Sequence, residues 1–430
     1  MLRLLFISLA AMALTSCASS PRSGEESVTW QQRSDRAGRY IVVTVRNDPT
    51  SIDVRAGSSG RDYGGRGTYG AAPRARTDVK ELSAKYSLSY VDAWPIEVLK
   101  VHCVVYGIDV NADMNEVMTR LRGDPRVESV QPLQSFSSMV DTTQNASAMS
   151  SANLQPNLQR MQVLEAHRVT RGAGVRVAVI DTGVDASHPD LKGRVGTQRD
   201  LVGNIAPAGD NKSTFAERHG TAVAGVIAAI ADSRQGIVGV APAATVLALR
   251  ACWPAQAGDA RAVCNTFTIA QALSAAIELR ADVVNLSLAG PDDPLLSRLV
   301  TAGSDRGMLY VGAMPPNGTA LGFPASVPVV IRADVATANS LANNALRAPG
   351  TDILTLRPAG QYDLQSGSSL STASISGGVA LLMARNRKLN REAVTNALSS
   401  SMSARAQGET SVDLCAALSF VDKAVVCDRE

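Results

Sequence analysis

Residues 175–181 read VRVAVID, a nearly continuous apolar run that ends in a carboxylate. Four later stretches have the same character: TVLALRA from 245, VVNLSL from 283, MLYVGAM from 308 and VPVVIRADVA from 327. Strands that are covered on both faces of a parallel sheet are apolar in this continuous way. Helical patterns lie between them (GTAVAGVIAAIA, TIAQALSAAIELRA, STASISGGVALLMARN), and this alternation predicts an α/β domain.

A different pattern occupies residues 39–136. RYIVVTVRN predicts a strand, TDVKELSAKY a helix, PIEVLKVHCVVYGI further strands, ADMNEVMTRLRGDPR a helix and VESVQPL a last strand. This order of strand, helix, two strands, helix and strand is the layout of a ferredoxin-like α+β domain. A Ser-, Gln- and Asn-rich stretch at 137–157 is interpreted as a linker between the two domains.

The N-terminus predicts export. MLRLLFISLAAMALTSC has one early positive charge and then an apolar run too short for a membrane span, which is typical of a signal peptide over residues 1–16. The ending LTSC resembles the processing box of bacterial lipoproteins, so Cys17 is predicted to carry the lipid and 17–38 to be a tether. Ala18 after the lipidated residue favours the outer membrane of a two-membrane cell. The alternative is an ordinary cleaved signal with an incidental Cys.

The charge balance argues against a nucleic-acid partner, and the cysteine count indicates disulfides. Lys and Arg total 42 and Asp and Glu 39 in 430 residues, a net charge of +3 that predicts no nucleic-acid partner. With Cys17 lipidated, five of six Cys remain in an oxidising compartment. Cys252–Cys264 and Cys415–Cys427 are predicted as two local disulfides, and Cys103 as a buried free thiol.

The stretch SGSSLSTASISGG, residues 366–378, consists of small residues and leads directly into the apolar run VALLMAR. A Ser at the entrance of a helix lies near unpaired backbone N–H groups, which stabilise negative charge. Glycines inside a helix cost about 1 kcal/mol each relative to Ala, which indicates close packing instead of a flexible spacer. The pattern predicts a nucleophile that uses its own N–H to hold an oxyanion.

A nucleophilic Ser needs a base, and the sequence contains four His. His219 opens a helix of small residues. Asp181 ends the strand VRVAVID, at the edge where parallel sheets gather their functional groups. His102, His167 and His188 are interpreted as structural or surface residues.

VAVIDTGVDASHPDL, HGTAVAGVIAA, GIVGVAP and GSSLSTASISG together resemble the motifs of the subtilisin-like serine proteases, in that family's order of Asp, His and Ser. The resemblance covers roughly residues 154–418 and includes APGTDILTLRPAG before the Ser motif. It implies a subtilisin-like parallel sheet flanked by helices over 158–430. It also implies that the ferredoxin-like domain is a propeptide that inhibits the enzyme until it is cut off. The cut is predicted within 135–157, because this stretch is polar, lacks periodicity and can thread a cleft as an extended strand.

The same resemblance implies a triad in which Asp181 orients His219, His219 is the base and Ser369 is the nucleophile of an acyl-enzyme mechanism. Ser368 is the competing nucleophile. The family's Ser motif has a fixed length that the segment from Gly367 to Gly377 reproduces without a gap, and this favours Ser369.

The resemblance departs from the family at the second oxyanion donor. The family places an Asn after a strand like MLYVG, whereas this chain has AMPPNG. Counting from the strand puts Pro316 at that position, and a shift of one residue puts Asn317 there. Asn317 is therefore the predicted oxyanion residue, and a simple Asn317–Gly318 turn is the alternative.

The stretch NLSLAG resembles the family's substrate-binding strand and implies that Ser287, Leu288, Ala289 and Gly290 contact the substrate. Calcium is common in the family, and Asp190 and Asp232 match its ligand regions. Both residues fit equally well as surface acids, so neither a metal nor any other cofactor is predicted.

The sequence leaves three functions open. The first is a serine endopeptidase made as a lipid-anchored, self-inhibited precursor, whose partners are a polypeptide substrate, its own propeptide and a membrane. The second is a non-catalytic pseudoprotease, a lipoprotein that binds peptides in the same cleft. The third is a permanently self-inhibited structural lipoprotein, in which residues 39–136 stay attached. The complete set of Asp, His and Ser favours the first, and the altered motif flanks favour the second.

Overall fold

The computed structural model describes Trp30 and residues 38–48, 70–140, 155–203, 217–230, 236–256, 259–316, 319–336, 344–404 and 410–427. Cys17 with its signal peptide, most of the predicted tether and linker, Asp232 and Asn317 lie outside these residues. Among the described helices, none combines the length and apolar character that crossing a bilayer requires.

The N-terminal domain is a four-stranded antiparallel sheet with helices packed on one face. Its elements are β1 (Tyr40–Arg46), α1 (Pro73–Tyr86), β2 (Ser89–Ile96), β3 (Val101–Gly107), α2 (Met114–Arg122) and β4 (Val127–Pro132). The spatial order β2–β3–β1–β4 makes the domain ferredoxin-like, as its sequence predicts. Helix α2 begins where the Asp113 carboxylate accepts hydrogen bonds from the N–H groups of Asn115 and Glu116.

The two faces of this sheet pack against different partners, because side chains alternate along a strand. Val104 and Tyr106 face the helices and form the domain's own core. Val101 and Cys103 face the other way and belong to a core shared with the second domain. Cys103 is a buried free thiol, as predicted, and burial raises its pKa.

The second domain alternates strands and helices. Its strands are β5 (Ser135–Ser138), β6 (Arg176–Asp181), β7 (Val195–Asp200), β8 (Thr245–Arg250), β9 (Cys252–Pro254), β10 (Ala262–Asn265), β11 (Val283–Leu286), β12 (Leu288–Ala289), β13 (Leu309–Ala313), β14 (Val330–Val335), β15 (Leu346–Ala348), β16 (Ile353–Arg357), β17 (Gln361–Gln365), β18 (Ser403–Ala404) and β19 (Thr410–Ser411). Its helices are α3 (Pro156–Arg160), α4 (Val163–Val169), α5 (Arg218–Ala228), α6 (Thr266–Glu278), α7 (Pro294–Ser304), α8 (Ser368–Arg385), α9 (Arg391–Ser401) and α10 (Leu414–Val421).

A seven-stranded parallel sheet forms the centre of the described part of this domain, in the order β15–β14–β13–β11–β6–β8–β7. The five apolar runs of the sequence supply its five inner strands, which confirms the α/β prediction. The edge strands β7 and β15 are not apparent from the sequence, because β7 is the largely polar and partly exposed segment VGTQRD and β15 has only three residues.

Helix α8 lies against the sheet at β11, β13 and β14 and also contacts α5. It is buried from Ser369 to Met383. A Cβ at Gly377 would lie 2.6 Å from the Cβ of Val240, and one at Gly378 would lie 2.6 Å from a methyl of Leu414. The small residues of the Ser motif therefore reflect close packing, as the sequence predicts.

The predicted linker at 137–157 is too long at both ends. Its first residues belong to β5, which pairs with β12 on one side and with β10 on the other. Its last residues begin α3, whose Leu158 lies in the core of the second domain. A four-residue strand with three Ser has no apolar alternation that a sequence could reveal, because its partners supply the pairing.

Both predicted disulfides are present. Cys252–Cys264 joins β9 to β10, and Cys415–Cys427 joins α10 to the chain beyond it.

Candidate active site

Asp181 and His219 are in direct contact. Strand β6 ends at Asp181, and its Oδ1 atom accepts hydrogen bonds from the N–H of Thr182 at 2.7 Å and from Nδ1 of His219 at 2.6 Å. Asp181 is 3% exposed and His219 1%. A buried carboxylate on Nδ1 fixes the imidazole orientation and leaves Nε2 to act as a base.

Helix α5 holds His219 close to the turn that follows Asp181. The N–H of Gly220 donates to Oγ1 of Thr182 at 2.8 Å. A Cβ at position 220 would lie only 2.4 Å from the carbonyl oxygen of Thr182, so any larger residue would push the helix away. Gly220 thus allows His219 to reach the carboxylate.

Ser369 lies at the entrance of α8 and faces the main chain of Met139. Its N–H donates to the Met139 carbonyl oxygen at 3.1 Å, and its hydroxyl donates to the same oxygen at 2.7 Å. The hydroxyl of Ser368 donates instead to the carbonyl oxygen of Met314 at 2.9 Å. Of the two adjacent serines, Ser369 is therefore the one directed at the strand in the cleft.

Gly367 permits this approach. Its φ of +141° belongs to a region that side chains disfavour, and a Cβ there would lie 2.2 Å from the Met139 oxygen and 2.9 Å from the Cα of Val140. The peptide bond between Met139 and Val140 therefore lies directly over the entrance of α8.

His219 and Ser369 are not hydrogen-bonded to each other. Nε2 of His219 is buried and has no hydrogen-bond partner among the described residues. The Ser369 hydroxyl is directed at Met139 and, at 3.3 Å, at the carbonyl oxygen of Ser287. Proton transfer to His219 would require this hydroxyl to turn away from the Met139 oxygen towards Nε2.

A chain of three hydrogen bonds leads from the interior of α8 to the main chain of Ser369. Ser376 donates to the side-chain oxygen of Asn285 at 2.9 Å, and Asn285 donates to the hydroxyl of Ser287 at 2.9 Å. Ser287 then donates to the carbonyl oxygen of Ser369 at 3.0 Å. Sequence reasoning missed Asn285 and Ser376, although a buried Asn inside the apolar run VVNLSL is a signal that could have found the first.

The predicted substrate-binding residues do contact a strand. Leu288 lies opposite Ser138 and Ala289 opposite Ser137 in the antiparallel pair of β12 and β5. The N–H of Met139 donates to the carbonyl oxygen of Ser287 at 3.4 Å. An extended segment that adds to a sheet edge in this way is a common mode of peptide binding.

Phe136 anchors the other end of β5. Its side chain is 1% exposed and meets the ring of Phe323 edge to face, with ring centroids 5.7 Å apart. A Cβ at Gly290 would lie 2.4 Å from the Phe136 ring. The Phe136 ring therefore occupies the space that a side chain at position 290 would fill.

A charged cluster holds Glu217, which lies at the N-terminus of α5, two residues before His219. Both carboxylate oxygens of Glu217 accept from Arg250, at 2.8 and 3.1 Å, and one of them also accepts from the N–H of Gly183 at 2.7 Å. Arg250 donates further to Asp200 at 2.9 Å. Burial opposes the charge of Arg250, but these hydrogen bonds outweigh it and raise its pKa. The sequence carries no motif for this cluster.

Of the two acidic residues that match calcium-ligand regions, the structure describes Asp190. The backbone N–H of Ile237 donates to Oδ2 of Asp190 at 2.9 Å. The hydroxyl of Tyr362 donates to the same oxygen at 3.1 Å. No group of three or more His, Cys, Asp or Glu side chains among the described residues could hold a metal ion. The carboxylate of Asp190 thus serves hydrogen bonds within the protein.

The other three His make contacts outside the candidate triad. His102 lies in β3, Nε2 of His167 is 2.9 Å from the carbonyl oxygen of Val240, and Nδ1 of His188 accepts from the N–H of Asp190 at 3.1 Å. None of these contacts involves Asp181 or Ser369.

Comparison with known proteins agrees with this geometry. The sequence profile of the Subtilase family matches residues 172–414. The intracellular serine protease of Paenibacillus polymyxa is 36% identical over 228 residues, which is 50% of this chain and 68% of that protein. Thermitase of Thermoactinomyces vulgaris is 31% identical over 252 residues, 55% of this chain and 86% of that protein.

A solved structure shares the fold over most of the chain. Fervidolysin from Fervidobacterium pennivorans, described as a keratinolytic enzyme related to subtilisin, aligns with a TM-score of 0.63 at 20% identity. The alignment covers 92% of this chain and 62% of fervidolysin. With a profile match over more than half of its length, the chain belongs to the subtilase family of subtilisin-like serine peptidases.

Proposed function

We propose that this chain is an endopeptidase whose triad is Asp181, His219 and Ser369. In this mechanism His219 accepts the Ser369 proton while Oγ attacks a peptide carbonyl carbon. The N–H of Ser369 stabilises the charge that develops on the carbonyl oxygen. The observation that carries the proposal is the Met139 carbonyl oxygen, which lies 3.1 Å from that N–H.

The proposal extends to a self-inhibited precursor. Residues 135–139 occupy the cleft as a strand between β12 and β10, so a second polypeptide cannot pair there at the same time. The contact with Ser369 supports Met139–Val140 as the bond that is cut. Ser369 would form an ester with the Met139 carbonyl carbon, the Val140 nitrogen would leave with the proton from His219, and water would then hydrolyse the ester.

The lipid anchor at Cys17, with the outer membrane as its site, remains a separate proposal based on the sequence alone. Its test is mass spectrometry of the N-terminal peptide recovered from cells. An acylated Cys17 is expected, and a free N-terminus at another residue would contradict it.

The peptidase proposal is tested with a fluorophosphonate probe, which labels an activated Ser covalently. Labelling at Ser369 in the chain with a free cleft, together with a new N-terminus at Val140, is expected. A chain that binds the peptide QSFSSMVD (residues 134–141) but takes no label and cuts nothing would instead be a pseudoprotease.

The pseudoprotease stays the second candidate because of one observation. Nε2 of His219 has no hydrogen-bond partner among the described residues, and the Ser369 hydroxyl is engaged elsewhere. A cleft that holds a strand without performing proton transfer would keep this arrangement.

A further inference from the structure

Strands β9 and β10 pair beside the cleft, and we call these two strands (Cys252–Pro254 and Ala262–Asn265) the clamp hairpin. Cys252 and Cys264 stand directly opposite each other in this hairpin and are joined by a disulfide. Strand β5 lies between the clamp hairpin and β12, so it is an inner strand of the four-stranded sheet β12–β5–β10–β9. The clamp hairpin, which is one of the two neighbours of β5, is thus cross-linked by a disulfide.

The clamp hairpin contacts the bound strand at successive positions. Cys264 is paired with Phe136 and Val263 with Ser137. Near the cut, the N–H of Ala262 donates to the Ser138 hydroxyl at 2.8 Å. The hairpin therefore contacts three of the residues that precede Met139.

The base of the clamp hairpin is fixed on both sides. The N–H of Ala251, next to Cys252, donates to the carbonyl oxygen of Asp181 at 2.9 Å. Asn265 caps α6 by accepting from the N–H of Thr268 at 3.0 Å. The arms between these anchors are short, three residues in β9 and four in β10. Isolated two-stranded hairpins are marginally stable in water, so β10 depends on further support once β5 leaves its other side.

We propose that the Cys252–Cys264 disulfide is a substrate-positioning element. It keeps β10 in the geometry that receives an extended polypeptide when the cleft is empty, so that binding does not have to order the hairpin first. The proposal rests on the proposed use of this cleft for polypeptides. It predicts a role for substrates that reach back to the Phe136 position, and none for small esters that reach only Ser369.

The chain contains a matched control. Cys415–Cys427 has the same sequence separation of 12. It ties α10 within the core on the other side of the central sheet, and neither of its cysteines belongs to the sheet that holds β5. Removing either disulfide takes away one cross-link of equal span, but only one of them borders the cleft.

The first experiment does not depend on catalysis. Hydrogen exchange of residues 135–139 is followed by mass spectrometry in the full-length Ser369→Ala chain, which keeps the strand in place. Cys252→Ala with Cys264→Ala is expected to speed this exchange by about tenfold, because the strand opens more often. Cys415→Ala with Cys427→Ala is expected to leave it unchanged. Equal exchange in all three chains, or equal acceleration by both pairs, would overturn the proposal.

Should the Ala pair fail to fold, Cys252→Val with Cys264→Val replaces the disulfide by side chains that favour strands and retains the packing. The same tenfold increase is expected for this pair, and wild-type exchange would again contradict the proposal.

The second experiment separates long from short substrates in the processed enzyme. For the peptide QSFSSMVD, loss of the clamp disulfide is expected to raise KM about tenfold with kcat little changed. Hydrolysis of a single-residue nitrophenyl ester should not change. An equal loss on both substrates would assign the disulfide to the triad or to general stability. If the wild type cuts neither substrate, the peptidase proposal fails, and the exchange experiment still decides the role of the disulfide.

Discussion

The Ser369 main-chain N–H and the Met139 carbonyl oxygen are hydrogen-bonded at 3.1 Å, across 230 positions of sequence. An N–H at a helix entrance that points at a peptide carbonyl is one of the two donors that an acyl-transfer enzyme needs. The relationship supports Ser369 as the proposed nucleophile and Met139–Val140 as the bond that it faces.

Ser369→Ala should leave the chain uncut, whereas Ser368→Ala should still produce a mature form that begins at Val140. Only Ser369 donates to the Met139 oxygen, and Ser368 donates to Met314. Intact-mass measurement and N-terminal sequencing of both purified variants check this. Uncut chain in both variants, or a new N-terminus elsewhere than Val140, would contradict the assignment.

Gly290→Ala should remove the preference for a large ring at the Phe136 position. The added methyl would lie 2.4 Å from the Phe136 ring, with Phe323 on another side. In the wild type, the peptide QSFSSMVD should be cut at least about tenfold more efficiently than QSASSMVD, since burying a Phe is worth about 1.5–3 kcal/mol. The ratio of kcat/KM for the two peptides should approach one in the variant.

The peptide QSASSMVD is the control for this comparison, because it places no ring against position 290 and should be cut with similar kcat/KM by the wild type and the variant. A Gly290→Ala enzyme that keeps the wild-type ratio would show that Phe136 is bound elsewhere.

Asn317→Ala should lower kcat and leave KM nearly unchanged. The Ser369 N–H supplies a single oxyanion donor, and Asn317, which lies outside the described residues, is the candidate for the second. We expect a loss of about 10²–10³, the range known for removing such a donor from subtilisin. Steady-state kinetics with fluorophosphonate labelling as a control for Ser369 checks this, and an unchanged kcat would assign the second donor to another group.

The N-terminal domain should lose stability in mild acid through His102. This imidazole is 6% exposed, and burial, with a smaller effect of the Arg76 cation, lowers its pKa. The unfolded state, with a His pKa of about 6.5, then takes up the proton at higher pH than the folded state. The free energy of unfolding is therefore at its full value above about pH 6.5 and falls as the pH drops towards the folded-state pKa.

Calorimetric melting of the Ser369→Ala chain between pH 8 and 5.5 measures this dependence. His102→Leu places a side chain that does not titrate in the sheet and should make the fall in melting temperature shallower. Parallel curves with and without His102 would exclude this side chain as the cause.

The sequence predicts the inner framework well, because those signals are local. The five inner strands are continuous apolar runs, and Asp181, His219 and Ser369 each end or begin a predicted element. Gly220 and Gly367 are visible as glycines, but the carbonyl groups that each approaches belong to distant segments. The path of β5 is not predictable from SFSS, since its hydrogen-bond partners are β10 and β12.

Ion pairs between distant segments are likewise not predictable from the sequence. Arg250 ends an apolar strand, and its partners Glu217 and Asp200 lie 33 and 50 positions away. Nothing in their spacing indicates contact. A buried Arg is stable only when its charge is paired. The buried position of Arg250 at the end of β8 therefore requires acidic partners, but the sequence does not say which acidic residues these are.

The apolar face of the N-terminal sheet bears on how soon after the cut the enzyme can hydrolyse substrate. Val101 and Cys103 share a core with Phe267 of α6, and Trp30 adds its ring at 5.2 Å from that of Phe267. Breaking the Met139–Val140 bond leaves this surface intact, so the cut domain would stay bound as a product. Hydrolysis of added substrate should therefore begin only after a lag, and Trp30→Ala should shorten that lag. The onset of activity would then be set by the dissociation of two apolar surfaces and not by the chemistry at Ser369.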